Sequence, residues 1–267
     1  MPSSALHRFS IFLAVCTLCL VASVALGKGV VLATGVALGK GGIFPESDRL
    51  MGSLVAVLSI VQAGWSLKAD SRSAVKLLAM LLAVGALATL AVSGLWQAEA
   101  VQILFGLAVA VSVVTSPAWL RGPRPVEDEG FPSMRTFGWL TPLCVLTQVA
   151  LGAGLRYNAL PVWPHVTGSL VFGAILMFAG MAALQSYGMH DSLRRAATAL
   201  LWLTGLQLAL GMGAYGVRMA KEPAAWTVHL TVAHVVTGAM MMGAATAFAL
   251  QVFYHVRESL LVREAAI

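Results

Sequence analysis

Hydropathy constrains this chain more than any other property. Its charges gather in short clusters, and between them lie eight apolar stretches near residues 10–33, 50–67, 75–95, 101–119, 137–155, 164–186, 195–215 and 226–252. Each approaches the roughly 20 apolar residues that cross a bilayer as a helix. With 59% of its 267 residues hydrophobic and 10% charged, the chain reads as an all-α integral membrane protein of eight transmembrane helices.

The charge pattern sets an orientation. Arg8, Lys68, Arg72, Arg121, Arg194 and Arg257 are among eleven cations on one side of the spans, and Lys28, Lys40, Arg49, Arg156, Arg218 and Lys221 are the six on the other. The positive-inside rule then places both termini in the cytoplasm, and a bacterial inner (plasma) membrane is the expected location of this multi-pass protein. The net charge of +6 is thereby a topology signal. No basic stripe interleaved with aromatics points to nucleic acid.

The first stretch has a second reading as a signal peptide, because His7 and Arg8 precede an apolar core that ends in Val21-Ala22-Ser23-Val24-Ala25. Against it, the apolar run continues past Gly29 into Val30-Val31-Leu32-Ala33, too long for a signal core. The cysteines are few. Cys16 and Cys19 share a face of the first helix and Cys144 lies in the fifth, where such side chains act as small packing hydrophobes rather than as a redox pair.

The longest polar segment, residues 121–136, is rich in Pro, Gly and charge. It reads as a cytoplasmic linker between an N-terminal four-helix unit (1–120) and a C-terminal one (137–267). Since each unit starts on the same side, the two are expected to be parallel repeats. Gly52-Ser53-Leu54-Val55 matches Gly168-Ser169-Leu170-Val171, and Gly106 sets against Gly238. On those anchors His165 falls on Arg49 or Asp48, and His234 falls on Gln102.

Within this frame two histidines stand out. His165 opens His-Val-Thr-Gly in the sixth stretch and His234 opens His-Val-Val-Thr-Gly in the eighth, each followed by a long apolar run. An ionisable side chain inside a bilayer is costly and marks a partner or a function. Neutral imidazole is also one of the few side chains that binds haem iron axially. His229 lies five residues before His234, about 140° away around the helix, so only one of the two faces the bundle interior; His234 is the deeper. A structural role, each ring bonded to a neighbouring helix, is the alternative. His7, His190 and His255 sit at helix ends, where solvated or headgroup roles are expected. Glycine beside each histidine is expected to let a flat macrocycle approach the backbone. Arg156 and Arg218 face the same side and suit carboxylates. Trp163 and Trp226 read as interface belts, and Met240-Met241-Met242 as packing.

At these residues the chain resembles the haem A synthase family of the respiratory oxidase assembly pathway. Gln148-Val149-Ala150-Leu151-Gly152-Ala153-Gly154-Leu155-Arg156-Tyr157 is similar to that family's Gln-x-x-x-Gly-Ala-x-x-Arg-His segment. Gln207-Leu208-Ala209-Leu210-Gly211 is similar to its later Gln-x-x-x-Gly, and Ser47-Asp48-Arg49-Leu50 to its Ser-His-Arg-Leu with Asp for His. The resemblance implies a pseudo-symmetric eight-helix bundle with haem b in the C-terminal half, ligated by His165 and His234, with Arg156 as a further cofactor contact. It implies haem o as substrate of the N-terminal half, oxidised to haem a. It also implies haem o synthase or cytochrome oxidase subunits as partners, beside the lipid bilayer and a second copy of the chain.

The N-terminal half departs from the pattern: Asp48 and Gln102 stand where histidines are expected, and Glu46 is only an approximate counterpart of the catalytic glutamate. Two other functions therefore stand beside an oxidoreductase. One is a non-enzymatic single-haem b-type cytochrome or assembly factor. The other is a small-solute transporter, which requires broken helices and polar midplane residues.

Overall fold

The computed structural model describes residues 4–34, 43–92, 95–128, 130, 132–220 and 226–258. Helices α1 (Ser4–Thr34), α2 (Ile43–Ala69), α3 (Ser73–Ala91) and α4 (Leu95–Val114) form the first group. A one-turn helix α5 (Pro117–Leu120) and a short strand β1 (Val126–Asp128) lead to α6 (Met134–Arg156), α7 (Val162–Tyr187), α8 (Asp191–Ala220) and α9 (Trp226–His255), with β2 (Val256–Glu258) after them. Among the described residues seven helices are long and apolar enough to cross a membrane, and Glu99–Val114 of α4 is a shorter apolar stretch. The chain is a multi-pass, all-α membrane protein.

Each group closes in the same order. Consecutive helices pack side by side, and the fourth returns to the first: α4 on α1, α9 on α6. The groups meet where α9 packs on α1 and α4, and α4 on α6. Glycines allow that approach. A Cβ on Gly106 of α4 would stand 3.3 Å from Met242 Cε, and one on Gly243 of α9 would stand 2.8 Å from Phe105 Cε1. Helix α9 is therefore the axial element, far more enclosed than α8. Met241 and Met242 lie buried in its core layer while Met240 faces outward, as expected of three consecutive residues on a helix.

The outer surface is apolar. Phe12, Val57, Val84, Leu143, Phe178 and Trp202 are exposed, as helices solvated by lipid require. Three hydroxyls inside the bundle bond back to their own helix: Ser10 to the Leu6 carbonyl, Thr17 to Leu13 and Thr204 to Leu200, all at 2.7–2.8 Å. No buried hydroxyl of these three is left seeking water. Of the cysteines, all free, Cys144 is buried, Cys16 partly so and Cys19 exposed.

The fourth helix ends earlier than its apolar run. Ser116, extended at φ −67°, ψ 148°, accepts from Trp119 N and starts α5 with Pro117 at its first turn, because the residue before proline is pushed out of the helical region. Polar bonds gather several termini at one end of the molecule. His7 of α1 meets Thr115, Arg72 at the start of α3 donates to the Val114 carbonyl, and Arg124 N donates to His255 Nδ1 at the end of α9.

The described part of the segment read as a linker is clamped to that end. Its β1 pairs in parallel with β2, Val126 opposite Val256. Buried Asp128 accepts from Gly130 N, Met134 N and the Tyr187 hydroxyl. His255 corrects the expectation of a solvated ring: it is 4% exposed and serves as an acceptor for the linker backbone.

Candidate functional site

The site lies at the end of α6–α9 remote from the linker. Gln148 and Gly152 are four residues apart on α6, and Gln207 and Gly211 repeat that spacing on α8, so each pair occupies one helix face. After α6 the chain reverses tightly. Asn158 adopts φ 57°, and Ala159 N and Leu160 N both donate to the Gly154 carbonyl at 2.8 and 3.1 Å. A Cβ on Gly154 would stand 2.6 Å from Leu160 Cδ1. Only glycine lets the turn fold back this closely, and the reversal returns His165 of α7 to the level of Gln148.

Each imidazole is held by the helix before its own. Gln148 Nε2 lies 3.0 Å from His165 Nδ1 and donates to the His165 carbonyl at 2.9 Å. Gln207 Nε2 lies 3.4 Å from His234 Nε2. The glycines seat the rings: a Cβ on Gly152 would stand 2.9 Å from His165 Cε1, and one on Gly211 would stand 3.1 Å from His234 Cε1.

The glycines of the Thr-Gly steps have a further role. A Cβ on Gly168 would stand 2.7 Å from Gln148 Oε1, and one on Gly238 would stand 3.1 Å from Gln207 Nε2. Those glycines make room for the glutamine side chains.

The two rings come together. Their centres are 6.2 Å apart and their planes stand at 89°. A nitrogen–metal bond of about 2.0–2.1 Å to a first-row ion, extended to the ring centre, puts two imidazoles on opposite sides of one metal roughly 6.3 Å apart. The 6.2 Å between His165 and His234 falls close to that span. His234 Nδ1, Gln148 Oε1 and Gln207 Oε1 are buried without a hydrogen-bond partner, an expensive state in a bilayer interior. His229 lies on the exposed side of α9. Around the pair, residues 148–152, 165–166, 207–208 and 231–236 are half-buried, whereas Thr237–Ala239 and most of α9 beyond them are buried.

Among the described residues no group of three or more His, Cys, Asp or Glu side chains gathers at metal-holding spacing. Two imidazoles are nevertheless all that a protein contributes to a bis-histidine haem, since the porphyrin supplies the other donors. On spacing and donor chemistry the residues present fit such a group.

The remaining expected residues are placed differently. Arg156, at the end of α6, is directed to α1, its Nη2 donating to the Val24 and Ala25 carbonyls at 3.3 and 3.2 Å; its Nε is buried without a partner. Glu46 and Asp48 fall on the first turns of α2, and their side chains lie outside the described residues, as do those of Arg218 and Trp226. Gln102 is buried on α4, 6% exposed, with Oε1 unpartnered.

One residue was missed. Glu99, a turn before Gln102 on the same face of α4, is 8% exposed with an unpartnered Oε1. A lone acid inside an apolar run was the signal available for it.

No family model matches the chain, and no curated protein matches it in sequence.

Proposed function

We propose that this protein is a haem-binding integral membrane protein of the haem A synthase type. In this reading eight spanning helices form two parallel four-helix repeats, with both termini in the cytoplasm of a bacterial plasma membrane. The shared closing order of α1–α4 and α6–α9 supports the repeat. The apolar stretch Glu99–Val114 supports α4 as the eighth span.

One observation carries the proposal: two imidazoles from different helices, 6.2 Å apart between ring centres, each packed on a glycine and each met by a glutamine one turn along. His165 and His234 would hold haem b, whose iron supplies one-electron chemistry when bound. Gln148 orients its ring through the His165 carbonyl, and the Gln207 amide can present its oxygen to a His234 N–H, the partner that tunes a ligating histidine. The free Nε of Arg156 is suited to a propionate carboxylate.

Oxidation of haem o to haem a, with haem o synthase or cytochrome oxidase subunits as partners, is the fuller form of this reading. A second reading, a non-enzymatic single-haem b-type cytochrome or assembly factor, is favoured by Gln102 at the position matched to His234. An amide is a poor ligand for haem iron.

The test is haem content and type in detergent-purified protein by pyridine haemochrome, with His165→Ala and His234→Ala alongside. One low-spin haem b per chain, lost in both variants, is expected. A second haem, or any haem a, selects the enzymatic form. Protein that stays haem-free when expressed with ample haem refutes the proposal.

A further inference from the structure

At the opposite end, a cleft of about 160 Å³ lies between the linker, the start of α8 and the end of α9. It is lined by Arg121, Arg124, Arg195, His190 and His255, with one acid, Asp191. Asp191 is already engaged by Arg194 at 3.0 Å. Among the described residues none of the three lining arginines forms an ion pair.

The two histidines add directed donors. His190 Nδ1 accepts from Leu193 N at 3.3 Å, and His255 Nδ1 accepts from Arg124 N at 3.0 Å. An imidazole whose Nδ1 accepts a hydrogen bond carries its proton on Nε2. Each ring is therefore an Nε2–H donor, and His190 Nε2 is buried without an acceptor. The ring centres stand 4.4 Å apart.

The walls are stiff. Trp119 stacks on Tyr254 at 3.8 Å, and the Tyr254 hydroxyl donates to the Trp119 carbonyl at 2.9 Å, which fixes α5 and the linker against α9. The cleft thus offers guanidinium and imidazole donors on several sides and little that accepts, in a space several times the roughly 30 Å³ share of one water. Its complement is a compact, multiply charged acceptor.

We propose that this cleft binds a phosphate group, either inorganic phosphate or the headgroup phosphate of an anionic lipid. The site is separate from the histidine pair and stands whether or not haem is bound there.

Full-length protein in phosphatidylcholine nanodiscs is titrated with inorganic phosphate by calorimetry. In a parallel arm, nanodiscs containing phosphatidic acid are assayed by native mass spectrometry for retained lipid. One saturable equivalent is expected in at least one arm: phosphate in the first identifies the free anion, and retention only in the second identifies the headgroup.

The Arg121→Gln/Arg195→Gln variant should weaken that binding about tenfold or more, because two charge-assisted contacts are lost. His190→Leu should weaken it by about fivefold through loss of one donor. Lys68→Gln/Lys76→Gln, on exposed cations outside the cleft, should stay within about twofold, the level set by diffuse surface charge. No saturable binding in either arm, or equal losses in the lysine and arginine variants, overturns the site. Both arginines are exposed, and an unchanged melting temperature separates lost binding from lost folding.

Discussion

Helices α1–α4 and α6–α9 pack in the same order yet fill their interiors differently. The first group is closed by Leu13, Leu20, Val55, Leu82, Leu104 and Phe105. Its clearest internal polar link is Gln62 donating to Ser10 and Ser66. The second has an equally apolar core around Leu176, Leu200, Phe248 and Val252, but beyond Thr237 it changes to glutamine, histidine and glycine. Among the described residues one architecture thus carries two interiors, the first with Gln62 bonded to serines and Glu99 and Gln102 buried on α4, the second with two glutamines and two histidines brought together. The difference lies in a few side chains on the inward faces of α6 to α9. In hydrocarbon such side chains persist when they hold one another or a ligand.

Replacing the rings should separate the two groups most sharply. His165→Ala or His234→Ala is expected to abolish haem binding, while Gln102→Ala at the matched position of α4 leaves it intact; absorption spectra of the purified proteins decide it. Equal losses from all three would mean that α4 shares the site.

The glutamines come next. Gln148→Leu or Gln207→Leu should lower haem affinity about 10- to 100-fold while keeping the low-spin spectrum, as expected when the partner of a ligating histidine is removed. Gln62→Leu, in the first group, should not alter affinity. Haem titration of the apoprotein measures each.

The glycines give a steric version of the comparison. Gly152→Ala places a methyl 2.9 Å from His165 Cε1, whereas Gly64→Ala meets nothing within 4 Å. The first should displace the ring and cost about 1–3 kcal/mol of haem binding, as overpacking does; the second should be silent.

In the first group, Glu99→Leu should raise the melting temperature in detergent by several degrees. It removes a buried carboxyl oxygen that has no partner, worth about 1–3 kcal/mol. A lower melting temperature would show that Glu99 holds a structural partner.

The smallest expected effects are at the inter-helix turns. Asp70 is 3% exposed in its side chain and bonds Arg72 at 2.6 Å, while Asp191 and Arg194 are both mostly exposed. The Arg72 hydrogen bonds hold the Asp70 carboxyl below its ordinary 3.8. Its contribution is therefore present above pH 3.8 and fades as pH falls through the lower folded value. Asp70→Asn should lower the melting temperature near neutral pH and remove that acid-dependent component, whereas Asp191→Asn should stay within about 0.5 kcal/mol. Thermal scans between pH 3 and 7 compare them.

Much of this was legible along the chain. Apolar runs of spanning length predict the long helices, because a backbone in lipid has to satisfy its own hydrogen bonds. Gln148–Gly152 and Gln207–Gly211 were visible as matched spacings, and the period of the helix excluded His229 as a face-mate of His234. The contact of Arg156 with α1 was not legible: its position at a helix end suggested a ligand contact, and only the fold shows that its Nη2 reaches α1 carbonyls while its Nε stays unpartnered. His255 likewise read as a solvated terminal ring, and nothing local announces that residues 121–128 return to bury it. Glu99 passed unnoticed because burial depends on which neighbours close over α4.

The amino-acid order alone determined that the chain is helical, apolar and multi-pass, since those follow from local composition and the period of one helix. Which side chains share a point in space was decided by packing. Two imidazoles 69 residues apart in sequence meet only because a tight turn after α6 and the seating glycines of α6 and α8 set how α7 and α9 are held, and such contacts between distant segments leave no mark in any local stretch.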